Sequence, residues 1–338
     1  MVGLLAVGLA LGAVVTGCGS SGTAAGGSRT SVDDTLPRAG CLPTGESRDS
    51  TSGPYGVGRV EVTFVDGSRP TAASPRRGLT AHPDRTLPTV ILYPTDGDPT
   101  GRAAVGAPAA PGRFPLVIVA HGVMSNGSTI AGIVAPWVRA GYVVAAPTFP
   151  LSSGSGADIT DLANQPGDVA FVTDAVRSLD GDGSQPVSGH IADDCLAVAG
   201  HSMGAATTLE AVYESTYRLP HVDAAIEVSG VMAAMPDGSF DDPPAVPLLL
   251  LHGDDDPVVA ISGSQHAFEQ LPGPNYFVTF RGADHNSLFT PPYKAVLDQA
   301  AVAFLDAELK GAGPPRGPLT ALTGGSSLAG LQIRDGSN

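Results

Sequence analysis

Lysine is almost missing from this chain of 338 residues. Of its 18 basic residues only Lys294 and Lys310 are lysines, and 33 acidic residues bring the net charge to −15. A basic footprint for nucleic acid is absent, and attraction to anionic lipid surfaces is not expected. Only three cysteines occur, Cys18, Cys41 and Cys195, and neither Cys41 nor Cys195 has the setting of a reactive thiol. No two of the eight histidines have the spacing of a metal site. The Asp180-Gly181-Asp182-Gly183-Ser184 stretch starts like a calcium loop. It lacks the glycine at the sixth position and the closing glutamate, so it reads as a turn. No glycine-rich phosphate loop and no internal repeat is present, so no cofactor and no metal is expected. The longest apolar run, residues 2–15, is too short for a membrane-spanning helix.

What the chain does have is a 42% hydrophobic content, 44 glycines and 30 prolines. The length allows two domains, but one α/β domain of this size is ordinary. Residues 59–65 alternate as a first strand, and 69–88 read as a loop. Apolar strands then alternate with helical stretches at 130–140, 169–179 and 293–309. That is the pattern of a mostly parallel central sheet with helices on both faces. Trp137 reads as core packing, and Asp168 and Asp174 as surface or capping residues. The Gly- and Pro-rich residues 311–338 read as a loose tail.

The chemistry is concentrated in Gly200-His201-Ser202-Met203-Gly204, which fits G-x-S-x-G. Residues 195–199 before it are apolar and strand-like, and 205–212 after it are helix-like. A strand, a sharp turn and a helix expose a serine hydroxyl at the tip of a strained elbow. The two glycines allow helix and strand to pass closely. Serine is a poor nucleophile at neutral pH and needs a base and an orienting acid. The acid is expected in the loop after the apolar run 247–251, within His252-Gly253-Asp254-Asp255-Asp256-Pro257. Three adjacent carboxylates repel, so one turns inward. Asp256 is that one, because Pro257 fixes the turn beside it. Asp254 and Asp255 read as solvated or turn-capping. The base is His285, in the loop beyond the strand that ends at Gly282. His201 reads as packing or bonding locally, and His121 and His252 as structural residues at strand ends. Oxyanion donors are expected from the backbone N–H groups of Met203, at a helix N-terminus, and Val123, after the strand 114–120.

These motifs resemble the α/β-hydrolase superfamily. More narrowly they are similar to bacterial dienelactone-hydrolase-like and platelet-activating-factor-acetylhydrolase-like esterases, over residues 53–310. The resemblance implies an α/β-hydrolase fold and a serine esterase with a Ser202–His285–Asp256 triad. Two departures matter. Dienelactone hydrolases proper use cysteine, so Ser202 points to ordinary esters. The acetylhydrolases carry their aspartate after the strand that follows the elbow helix, where this chain has only Glu227, a reserve acid at most. The elbow also resembles that of cutinase-like polyester hydrolases. Ala205, Val123 and Val231 stand where those enzymes usually have a glycine, an aromatic residue and a tryptophan.

Residues 1–17 resemble a bacterial lipoprotein signal, with Cys18 as the acylated residue and 18–52 as a flexible tether. No Lys or Arg precedes the apolar run, which suggests a start further upstream. The expected location is the cell envelope, lipid-anchored to the outer face of the cytoplasmic membrane, or secreted, with membrane contact through the anchor alone. In an exported chain Cys41 and Cys195 could form a disulfide; a buried, unpaired Cys195 is the equal alternative.

The expected partner is a small-molecule ester. Phe149, Leu151, Met235 and Phe240 are placed in the walls of an open site that suits small or medium acyl chains. A polyester or lipid hydrolase is a second reading. An inactive ligand-binding lipoprotein on the same scaffold is a third, which the complete triad disfavours.

Overall fold

The computed structural model describes Cys41 and residues 54–233, 235 and 238–336. The expected signal (1–17), Cys18 and the tether (18–52), Cys41 apart, lie outside the described residues. Among the described residues no helix is long and apolar enough to cross a membrane.

Three runs dominate the sheet: β4 (Phe114–Ala120), β6 (Ile191–His201) and β8 (Leu248–Gly253). Their stretches 114–120, 195–199 and 248–251 are apolar because both faces are covered there. Val117 and Val119 of β4 enter one core, and Leu116, Ile118 and Ala120 the other; Leu249 and Leu251 of β8 oppose Leu248 and Leu250 in the same way. Between and beside them lie β5 (Val143–Pro147), β7 (Ala224–Val228) and β9 (Asn275–Phe280). These six strands are parallel. β1 (Gly56–Asp66) and β2 (Arg85–Thr95) extend the sheet antiparallel past β5, and β3 (Ala104–Val105) adds a short edge. Among the described residues the order of the ten strands is β10-β9-β8-β7-β6-β4-β5-β2-β1-β3.

One face carries α1 (Gly127–Ile133), α2 (Ala135–Arg139) and α6 (Tyr293–Lys310), with Trp137 and Phe304 in its core. The other carries α3 (Gln165–Ser178), α4 (Met203–Tyr213) and α5 (Ser262–Gln270). The mostly parallel sheet covered on both faces is the architecture expected from the pattern of apolar segments. Its parallel strands direct their C-terminal ends to one edge, so the loops after β4, β6, β7, β8 and β9 meet there.

Two expectations need correction. The described part of the expected loose tail 311–338, residues 311–336, is ordered structure. It forms α7 (Arg316–Thr323) and β10 (Ala329–Arg334), which pairs antiparallel with β9 from Ala329↔Phe280 to Arg334↔Asn275. Leu331 and Ile333 repeat with the period of a strand and pack on the core. Alone such a segment has nothing to bond, and the open edge of β9 supplies its partner. Asp168, in turn, is not a surface or capping residue. It is fully buried and receives Nε and NH2 of the fully buried Arg85. Arg69 donates to the same carboxylate at 2.7 Å, and Arg85 also reaches Asp161 at 3.0 Å. Asp161 in turn accepts the Leu151 amide (3.1 Å), fixing the loop after β5.

Cys41 and Cys195 form a disulfide, with Cα atoms 5.3 Å apart. The register of β6 against β4 shifts between Pro115 and Leu116, whose partners are Ala192 and Leu196, and Cys195 sits in that irregularity.

Arg85→Leu leaves the buried Asp161 without its counter-charge and the buried Asp168 with Arg69 alone. It is expected to cost about 3–5 kcal/mol, measured by urea unfolding; a loss within error of zero would contradict the role given to this cluster. Glu210 of α4 is also fully buried, and neither carboxyl oxygen finds a hydrogen-bond partner among the described residues. Burial, with the charge of Glu214 adding to it, pushes its pKa up to about 9 from 4.5. The folded protein therefore keeps a proton that the unfolded chain releases, and stability falls as pH rises from 4.5 towards 9. The loss reaches about 3 kcal/mol by neutral pH. Glu210→Met should therefore stabilise the protein more at about pH 8 than at about pH 5, by roughly that amount. An equal gain at both would show that Glu210 ionises in the fold.

Candidate active site

Ser202 follows β6 directly and precedes α4. Its backbone lies at φ 56°, ψ −121°, outside the regions where L-residues rest. The strain is set by how closely α4 crosses the sheet. A Cβ on Gly200 would strike the carbonyl of Gly204, and one on Gly204 would strike the carbonyl of Ala120 in β4. The Ser202 amide donates to Val228 O at 2.9 Å, so the turn is tied to β7 as well. The hydroxyl is thereby held at the sheet edge, 9% exposed.

The structure brings the three predicted residues together. The Ser202 hydroxyl donates to His285 Nε2 (2.9 Å), and His285 Nδ1 donates to Asp256 Oδ2 (2.7 Å). Asp256 Oδ1 accepts the amides of Val258 (2.8 Å) and Val259 (2.9 Å). Burial works against the ionised form of Asp256. The Val259 amide, the His285 imidazole and the Val258 amide outweigh it and hold the carboxyl below its ordinary pKa. Its charge is thus available to an imidazolium at His285. Asp254 turns outward, accepting the Gly282 amide at 2.7 Å, and Asp255 is exposed. Glu227 makes no bond to His285; its partners are Ser264 and the Gly230 amide.

The neighbouring histidines have local tasks. His201 donates Nε2 to the carbonyl of His285 (3.2 Å), and its ring lies 4.8 Å from that of His285 and edge-on to Phe289. Burial and the nearby His285 push its pKa down to about 4, so it stays neutral and packs behind the His285 ring. His121 is buried. The Phe149 amide donates to its Nε2 (3.1 Å), which leaves Nδ1 to donate to Gly122 O (2.8 Å). It therefore locks the loop after β4 to the loop after β5. Met124 reinforces this, donating to Ser152 O and accepting from Gly154.

The amides of Val123 and Met203 donate to no other described residue; Met203 follows Ser202 in the chain, and Gly122, which precedes Val123, is so near that a Cβ there would lie 3.1 Å from the Ser202 Cβ. Phe149 and Leu151 differ from expectation. Phe149 is fully buried in the core and Leu151 nearly so, and the Phe149 ring lies 4.9 Å from His121. They brace the loop after β4 from beneath. The exposed apolar residues at this edge are instead Val123, Met124, Val231 and Val258, from the loops after β4, β7 and β8. Two surface hollows, about 480 Å³ lined by α6 residues such as Val302 and about 650 Å³ lined by Arg177, Asp194 and His221, involve no triad residue.

Sequence reasoning missed the partners of Glu227. Its signal was a carboxylate inside the buried strand Ala-Ala-Ile-Glu-Val, a position that demands a hydrogen-bonding explanation. No protein-family model matches the chain, and no curated protein matches it.

Gly204→Ala forces the helix away from Ala120 and is expected to cost about 1–3 kcal/mol in urea unfolding. Gly132→Ala, in α1 where a Cβ meets nothing within 4 Å, is the control and should not destabilise. Equal effects of the two would contradict the close approach that strains the elbow.

Proposed function

We propose that this chain is an exported serine hydrolase of the α/β-hydrolase type that cleaves carboxylic esters of small or medium acyl chains. The observation that carries the reading is the continuous hydrogen-bonded line from the Ser202 hydroxyl through His285 to the buried Asp256 carboxylate, with the serine on a strained strand-to-helix turn.

The chemistry follows from that line. His285 Nε2 takes the hydroxyl proton as Ser202 Oγ attacks the ester carbonyl carbon. The carbonyl oxygen becomes an oxyanion, which the amides of Val123 and Met203 receive, the latter at the N-terminus of α4. Asp256 holds the imidazole in its Nδ1–H form and stabilises the imidazolium. As the tetrahedral species collapses, the C–O bond to the alcohol breaks and Nε2 returns the proton to the leaving oxygen. Water, activated by His285 in the same way, then releases the acid and restores the serine. No cofactor or metal is needed for these steps.

The Cys41–Cys195 disulfide supports an oxidising location. With the signal-like residues 1–17, Cys18 becomes the proposed lipid-anchor site, and the anchor the proposed membrane contact. The partner is a small-molecule ester, with no role for nucleic acid. A second reading, a cutinase-like polyester or lipid hydrolase, draws on the exposed Val123, Met124, Val231 and Val258 at the site edge. An inactive ligand-binding lipoprotein is disfavoured by the intact Ser202–His285–Asp256 line.

The test is hydrolysis of p-nitrophenyl acetate, butyrate and palmitate, and of a polyester film, by the purified protein. Ser202→Ala should lower kcat/KM by about 10⁴-fold or more, and Asp256→Asn by about 10⁴-fold in kcat. The short esters should be the better substrates. Activity that survives Ser202→Ala would overturn the reading, and preference for palmitate or the film would move it to the polyester or lipid alternative.

A further inference from the structure

The hydrogen-bonded line does not stop at Asp256. His252, at the end of β8 and fully buried, places Nε2 3.0 Å from Val259 O and 3.3 Å from Asp256 Oδ2, the same oxygen that His285 uses. Its Nδ1 lies 2.6 Å from the hydroxyl of Ser264 on α5. That hydroxyl lies 2.9 Å and 3.0 Å from the two carboxyl oxygens of Glu227 on β7, and the Gly230 amide donates to Glu227 Oε1. Ser264 and Glu227 are both fully buried. The line thus runs from Ser202 through His285, Asp256, His252 and Ser264 to Glu227.

The protons in it can be counted. A carbonyl oxygen only accepts, so His252 carries hydrogen on Nε2 to meet Val259 O and Asp256 Oδ2. Its Nδ1, with no second proton, accepts from Ser264. The single hydroxyl hydrogen of Ser264 is then used, and a bond between Ser264 and Glu227 requires Glu227 to be the donor. Its ionic surroundings agree. Burial pushes the Glu227 pKa up to about 7, against the pull of Ser264 and the Gly230 amide, and no charged side chain faces it. His252 faces Asp256 and His285, with His201 beyond, and burial holds it below its ordinary pKa, so it is neutral.

We infer that Glu227, Ser264 and His252 are positioning residues that hold one buried proton behind the triad, and that this proton fixes His252 as a second donor to the Asp256 oxygen on which His285 turns. When Glu227 releases its proton to solvent, the Ser264 hydrogen swings to the carboxylate. The His252 Nδ1 lone pair then faces the lone pairs of Ser264, the two atoms repel, and the hold of His252 on Asp256 loosens. Activity therefore carries an alkaline decline that belongs to Glu227. With the pKa near 7, protonation falls from about half at pH 7 to about one hundredth at pH 9.

The proposal rests on the ester-hydrolase reading, and two measurements keep their failures apart. The first compares kcat/KM against pH for the wild type, Glu227→Gln and Ser264→Ala. Glutamine mimics the protonated acid, its amide N–H donating to Ser264 and its oxygen accepting from Gly230. The wild type should decline between about pH 7 and pH 9 by tenfold or so, and E227Q should lack that decline. A purely structural role would lower activity equally at every pH. The second is the infrared carbonyl band of a protonated carboxylic acid, recorded on the inactive Ser202→Ala protein with and without Glu227→Gln. The difference should show one band, lost as pH passes through about 7; the Glu210 band persists to higher pH and cancels in the difference. E227Q following the wild-type profile at every pH, or no band removed by Glu227→Gln, overturns the inference. Absence of hydrolysis by the wild type defeats the ester-hydrolase reading, and the infrared band still decides where the proton sits.

Discussion

Ser202 holds a backbone conformation, φ 56° and ψ −121°, that costs an L-residue about 1–3 kcal/mol, and the site depends on surroundings that impose it. They do so by contact. α4 crosses β6 so closely that Gly200 and Gly204 have no room for a Cβ, and the Ser202 amide is fastened to Val228 of β7. The parallel strands β4, β6 and β7, buried on both faces, make a frame that cannot relax locally. Remove the close crossing and the hydroxyl would leave the line to His285.

A second constraint acts through Asp256. A buried carboxylate is expensive unless its oxygens are met by donors. Here Oδ1 takes the Val258 and Val259 amides, while Oδ2 takes His285 and the longer contact from His252. The loop after β8 thus stabilises the negative charge and aims it at His285. On the opposite flank, His121 and the Arg85–Asp161–Asp168 cluster tie down the loops that present Val123. The rigid elements sit beneath the sheet edge, where Val123, Met124, Val231 and Val258 stand exposed.

Much of this was legible in the chain. The apolar runs at β4, β6 and β8 announced a sheet covered on both faces, and G-x-S-x-G between a strand and a helix announced the elbow. Asp256 was legible because Pro257 singles it out from its neighbours, and His285 because it follows the end of β9. What stayed hidden depends on contacts between distant segments. Asp168 looks like a helix-surface residue until Arg85, on another strand, is folded against it. β10 is a strand only because β9 leaves an edge open. Phe149 looks like a pocket wall until His121 is seen above it. Glu227, Ser264 and His252 lie on three separate elements, and their hydrogen bonds have no spacing in the sequence to betray them.

The frame around Ser202 is proposed to make this one serine a nucleophile. The most direct measurement is covalent capture with a fluorophosphonate, followed by peptide mass spectrometry. It needs no knowledge of the natural substrate. A single adduct on Ser202 is expected, formed by the wild type and lost in His285→Ala. No adduct on folded wild-type protein, or an adduct on another residue, would contradict it.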